Sequence, residues 1–192
     1  AKYCKGFVPQ HKSTETLETD TVLITKAKKL PLELKEAFST LAFHKALLSI
    51  WDLINFTNKY IVEQEPWMLA KDASKEARLH TVLYNILESL RVIAIAISPI
   101  MPGTAKEILL HRLGITDLDS QNLDSISTWG ALPPGNVLTQ GTPLFPRVEY
   151  SKDEAATATK KVIKTKSIIA YEDFAKVDIR VAEILAAEKI PK

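Results

Sequence analysis

One proline decides where this chain must turn. A segment with an apolar stripe runs in from Phe43, a second runs out to Ile97, and Pro66 interrupts the path between them. A residue before proline is pushed towards extended backbone, so the Glu65-Pro66 junction predicts a break between two helices. Trp67 then falls at the corner, where a large ring can be partly exposed. Asn58, Lys59 and Tyr60 approach that corner from the first helix, and Lys71 lies just beyond it. An aromatic face, an amide and several cations at one end of a bundle are the equipment for stacking on and reading an unpaired base.

Each of these residues also has a plainer reading. Trp67 can be a half-buried cap on the bundle end, and Asn58 can hydrogen-bond to a neighbouring backbone group. Trp51 lies in the apolar stripe and reads as core rather than ligand. Arg91, on an otherwise apolar helix, reads as a snorkelling or paired cation. Lys160, Lys161, Lys164 and Lys166 form a basic run that suits a solvated linker, although such a run can also trail along phosphates.

The expected elements follow from spacing. Leu23, Ala27, Leu30, Leu34, Ala37, Phe38 and Leu41 recur at three and four, which predicts an amphipathic helix from Asp20. Pro31 within it predicts a kink, or two helices meeting near Leu30. A second helix is expected from Phe43 to Glu63, with Leu47, Ile50, Trp51, Ile54, Thr57, Asn58 and Ile61 as its inward stripe. A third starts after Asp72, a suitable N-cap, and becomes apolar on all sides towards Ile97, which implies burial all round. A fourth, roughly Gly103 to Leu113, ends at Gly114, a residue type favoured just past a helix C-terminus. The fold class is therefore all-α, an antiparallel helical bundle.

Around this bundle the chain divides into a polar connector (1–19), the bundle with a closing loop segment (20–150), a Lys-, Ala- and Thr-rich linker (151–166) and an incomplete ordered piece (167–192). The closing segment is expected to carry loops and a short strand near Phe145–Val148, and the last piece a helical turn around Tyr171–Lys176. Twenty-five or so residues bury too little surface to stand alone. The opening Ala1–Gly6 lacks the apolar region of a signal peptide, and a strand-like segment starts without finishing near Lys192, so the sequence reads as a piece of a longer protein.

Composition excludes more than it assigns. The 192 residues carry a net charge of +2, so contact with a polyanion must rest on local patches. The single cysteine, Cys4, cannot form an internal disulfide and fits a reducing, cytoplasmic compartment. No uninterrupted apolar run reaches membrane-spanning length, so a soluble protein without membrane contact is expected. His11, His44, His80 and His111 fall in separate segments without ligand spacing, which gives no metal site. Neither a phosphate-binding glycine loop nor a nucleophilic triad can be assembled, so no catalytic residue is assigned.

Three separated signatures carry a family resemblance. Asn58-Lys59-Tyr60 followed by Pro66-Trp67-x-Leu69-Ala70-Lys71 resembles the anticodon-binding bundle of class I aminoacyl-tRNA synthetases. Leu144-Phe145-Pro146-Arg147-Val148-Glu149, after Trp129-Gly130, is similar to the segment that closes this bundle in methionyl-tRNA synthetases. Asp173-Phe174-x-Lys176-Val177-Asp178-Ile179-Arg180-Val181-Ala182 resembles the start of the tRNA-binding OB-fold appended to many bacterial members.

The resemblance implies that Trp67 stacks on the first anticodon base, with Pro66 holding its ring and Asn58 and Tyr60 shaping the corner. It further implies an enzyme that attaches methionine to tRNA(Met) using ATP, of which this stretch chooses the tRNA and is inactive alone. No cofactor would belong to this stretch; ATP, and any zinc ion, would sit in a catalytic domain upstream. Dimerisation would run through the missing OB-fold domain. The sequence departs from the family pattern at Val62, where many relatives have an acid, and at Glu65, where many have a small residue. A free-standing tRNA-binding or scaffolding module, or the bundle of a leucyl- or valyl-type synthetase, are the alternative readings.

Overall fold

The computed structural model of the protein describes residues 3–10, 16–147 and 170–177. Four long or kinked helical segments form the first of two compact units, Ala1–Phe145. Helix α1 spans Glu18–Ser39 and α2 spans Phe43–Gln64. A four-residue helix α3, Pro66–Leu69, and a single 3-10 turn, Ala73–Lys75, lead into α4, Glu76–Ile97. Helix α5, Pro102–Lys106, continues directly as a π-helix over Glu107–Arg112. Among the described residues there is no extended strand, and the one isolated bridge joins Phe7 to Val137. The all-α expectation holds.

Pro31 does not divide α1: the helix runs through it, with Leu23, Ala27, Leu30, Leu34 and Ala37 buried on one face. Leu41, expected inward, is instead 74% exposed, because it lies beyond the helix end with a left-handed φ of 56°. Helix α4 is the central element and packs against α1, α2 and α3. With the turn before it, it is apolar and long enough to cross a membrane, yet 72% of that apolar window is buried inside the bundle. Its apolar character is that of a core helix.

Helix α2 is rotated from the expected stripe. Ala46, Ile50, Leu53, Thr57 and Tyr60 are the buried residues, whereas Trp51 is 49% exposed and Asn58 is exposed. The helix has two apolar faces. One is sealed against α1. The other, carrying Trp51, Ile54 and Ile61, borders an apolar groove of about 340 Å³ shared with α4 and α5. Trp51 is thus a groove residue rather than a core one.

The segment after the π-helix is irregular but firmly attached. Glu88, fully buried on α4, accepts hydrogen bonds from the amides of Gly130, Ala131 and Leu132 at 3.0–3.1 Å and pairs with buried Arg91 at 2.8 Å. Arg91 is the paired cation. Tyr84 donates to the Leu132 carbonyl at 2.9 Å, and burial together with the Glu88 charge pushes its phenol up to about 12. Residues 3–10, read as a connector, belong to this unit: Val8 is in the core and its amide bonds Asn136. The expected strand near Phe145 is absent over residues 141–147, where Phe145 is exposed.

The second unit is Pro146–Lys192. Within it the expected helical turn is present as α6, Tyr171–Phe174, closed by an Asp173–Lys176 contact of 3.0 Å. The linker at 151–166 and most of the OB-like piece at 167–192 lie outside the described residues.

Candidate nucleic-acid interface

The corner is built from three helix ends. Helix α2 stops at Gln64 because Glu65 takes a left-handed conformation, φ 42° and ψ 58°, rather than the extended one expected before proline. Pro66 then starts α3 at its first position, where its missing N–H leaves no helical bond unmade. The Glu65 carbonyl accepts from the amides of Met68 and Leu69 at 2.7 and 3.1 Å. Pro66 and Leu69 point inward, while Trp67 is 43% exposed and Met68 is exposed beside it. The short helix therefore has its apolar anchors below and an indole and a thioether above.

Beneath the corner lies a polar cluster that the sequence did not announce. Asp20, 1% exposed in the first turn of α1, accepts from the Leu17 amide at 3.0 Å and from the Tyr60 hydroxyl at 2.5 Å. Arg78, in the first turn of α4, grips the same carboxylate with both terminal nitrogens at 2.5 and 3.0 Å. Its Nη2 also donates to Gln64 Oε1 at 2.5 Å, and Gln64 in turn donates to Thr19 Oγ1 at 3.1 Å. Asn85 donates to the Tyr60 hydroxyl at 3.1 Å and to Asp20 at 3.3 Å.

These bonds set the charge states. Burial alone would raise the Asp20 carboxyl, but the donors from Arg78, Tyr60 and Leu17 outweigh it and hold the group below its ordinary value. Burial, and then donation to the Asp20 carboxylate, push the Tyr60 phenol well above its ordinary value. Burial would lower the Arg78 guanidinium, but its bonds to Asp20 raise it instead. At neutral pH the cluster is a fixed ion pair with neutral donors around it.

The six residues expected at the interface separate accordingly. Trp67 is 43% exposed, and Pro66 beside it in the chain is buried. Lys71 is exposed, with its Nζ 3.4 Å from the Met68 sulfur. Lys59 is exposed and pairs with Glu63 at 3.5 Å. Asn58 is exposed on the groove face of α2, about 9 Å along the helix axis from Gln64 at the rise of an α-helix. Tyr60 is 0% exposed and donates to the buried Asp20, so its side chain lies beneath the corner rather than on its surface. Val62 is exposed. Among the described residues no group of three His, Cys, Asp or Glu side chains could hold a metal.

The family model for the anticodon binding domain of methionyl tRNA ligase matches residues 8–164. The chain belongs to that family. A methionine–tRNA ligase of Caldanaerobacter subterraneus subsp. tengcongensis is 45% identical to the domain over 196 residues, covering 98% of the chain and 30% of that ligase. Methionine–tRNA ligase 1 of Bacillus cereus is 36% identical over 203 residues, again covering 30% of the relative. The apo Mycobacterium tuberculosis methionyl-tRNA synthetase superposes with a TM-score of 0.70 at 32% identity, over 78% of this chain and 29% of that one. The same enzyme with methionyl-adenylate gives 0.69 at 33% identity. The anticodon-binding domain thus spans about 30% of the length of the curated relatives it matches. The match decides for the methionyl type over the leucyl or valyl one.

Proposed function

We propose that this chain is the part of a methionine–tRNA ligase that selects tRNA(Met), by stacking the half-exposed Trp67 on an unpaired anticodon base. The single observation that carries the reading is a tryptophan, Trp67, 43% exposed on a four-residue helix whose other side is buried. A ring so held loses little conformational freedom when a base covers it, and stacking of this kind contributes about 1–3 kcal/mol per base. Pro66 supports the ring from below. Asn58 and Lys59 reach the bound loop from α2, and Lys71 from beyond the corner. Tyr60 acts only through Asp20.

In the complete ligase, methionine activation with ATP would take place in the remainder of the protein. ATP and any zinc ion would belong there. We assign the ligase to the cytoplasm, and any dimer contact to an appended OB-fold domain. Relatives that carry this sequence within a much longer ligase favour this reading over a free-standing module.

The test is a titration of the chain with initiator tRNA and with the same tRNA bearing an altered anticodon, followed by tryptophan fluorescence. The initiator tRNA should quench the signal and bind more tightly. Trp67→Ala should weaken binding by roughly 5- to 150-fold, the equivalent of one lost stack. Trp67→Phe separates its signal from those of Trp51 and Trp129. Equal affinity for both tRNAs, or an unaltered affinity in Trp67→Ala, would sink the assignment.

A further inference from the structure

The two residues that bracket the Trp67 corner are joined to one another. Gln64 is the last residue of α2 and Arg78 lies in the first turn of α4; between them run Glu65, α3 and the 3-10 turn. Gln64 Oε1 accepts from Arg78 Nη2 at 2.5 Å across 14 positions of sequence. Arg78 cannot swing away, because both its terminal nitrogens are held by the buried Asp20 carboxylate. Gln64 is held from the other side by Thr19 on α1.

We propose that Gln64 and Arg78 form a clamp that closes the loop carrying Trp67 and sets the position of its ring for RNA binding, making both of them positioning residues. The physical need is specific. Glu65 holds a left-handed backbone without the glycine that would adopt it freely, and α3 has only four residues, so neither keeps the corner in place by itself. Pro66 and Leu69 anchor the underside of α3 but not the two strands of chain that enter and leave it. A planar guanidinium can hold Asp20 in fork geometry and still turn one N–H to Gln64, which an ammonium cannot reproduce. The clamp thus links the α1 end, the α2 end and the α4 start to one exposed indole. The proposal rests on the stacking role given to Trp67 above.

The test uses the full chain with Trp51→Phe and Trp129→Phe, which leaves Trp67 as the sole indole. Gln64→Met keeps the bulk and removes the acceptor; Gln64→Glu keeps an acceptor for Arg78. Fluorescence anisotropy and acrylamide quenching report the ring, and an anticodon stem–loop RNA with the methionine anticodon reports binding. Gln64→Met is expected to loosen the ring and to weaken RNA binding by roughly 3- to 10-fold, a fraction of the loss of a whole stack. Gln64→Glu is expected to restore the anisotropy. Glu88→Gln, which weakens the attachment of the 130–132 loop, should lower the melting temperature without moving the Trp67 signal. An unchanged anisotropy in Gln64→Met overturns the clamp whatever the RNA does. A loosened ring with undiminished RNA affinity overturns its role in binding, provided Trp67→Ala binds weakly. If Trp67→Ala also binds normally, the stacking role fails first and the positioning role goes with it.

Discussion

Asp20 receives five hydrogen bonds from four residues, which uses the full acceptor capacity of a carboxylate. Its removal leaves Arg78, largely buried, without a counter-charge. Asp20→Asn should therefore destabilise the bundle by about 3 kcal/mol in urea unfolding, the range for breaking a buried pair from one side. A loss below about 1 kcal/mol would show that Arg78 finds water or another acceptor. The acid dependence has a definite sign. Because the folded carboxyl lies below its ordinary value of 3.8, its contribution is complete above that pH and disappears as pH falls through the lower, folded value. Thermal melts at decreasing pH should show this component in the native chain and lack it in Asp20→Asn. Tyr60 has the opposite sign: its raised phenol stabilises the fold below pH 10 and ceases to do so as pH rises beyond. Tyr60→Phe should remove that alkaline component.

At the level of elements, left-handed residues decide where helices stop. Glu65 ends α2 at φ 42°, and Gly114 follows the π-helix at φ 65°. The two positions differ in what surrounds them. A Cβ at Gly114 would meet the Val137 carbonyl oxygen at 2.7 Å, backbone that cannot easily give way. Gly114→Ala should accordingly cost roughly 1–3 kcal/mol, from strain and crowding together. Glu65→Gly should be near neutral, since relief of strain is offset by extra freedom in the unfolded chain. Glu65→Val should lose about 1–2 kcal/mol, because a branched Cβ fits that backbone poorly. Calorimetry that placed Glu65→Val at or above the native melting temperature would refute the account of this corner.

Taken whole, the molecule would meet RNA with little charge. Its net charge is +2, and at the corner Lys59 is already paired with Glu63. Affinity should fall with salt with a slope of about 2, equivalent to some three phosphates at ~0.7 each for single strands. A slope above about 6 in a salt titration would mean that backbone neutralisation, rather than stacking, dominates. The groove beside α2 follows from the same distribution of residues. Trp51, Ile54 and Ile61 line it opposite Ile86, Leu90 and Ile93, so a helix read as having one apolar stripe has two.

Periodicity alone located α1, α2 and α4 to within a few residues, because a 3.6-residue repeat is a local property of the chain. Pro66 and Gly114 mark real boundaries for a related reason: the fixed φ of proline and the freedom of glycine to take a positive φ both act at the position itself. Three signatures together, Asn58–Lys71, Leu144–Glu149 and Asp173–Ala182, carry the family resemblance without any coordinates. What the sequence could not disclose was which apolar face of α2 would be sealed, since Leu47 and Trp51 are as hydrophobic as Ala46 and Ile50 and only the approach of α1 separates them. Nor could it pair Asp20 with Arg78, 58 positions away, or turn Tyr60 inward to meet them. Such bonds depend on three helix ends arriving at one point, and that convergence exists only once the bundle has packed.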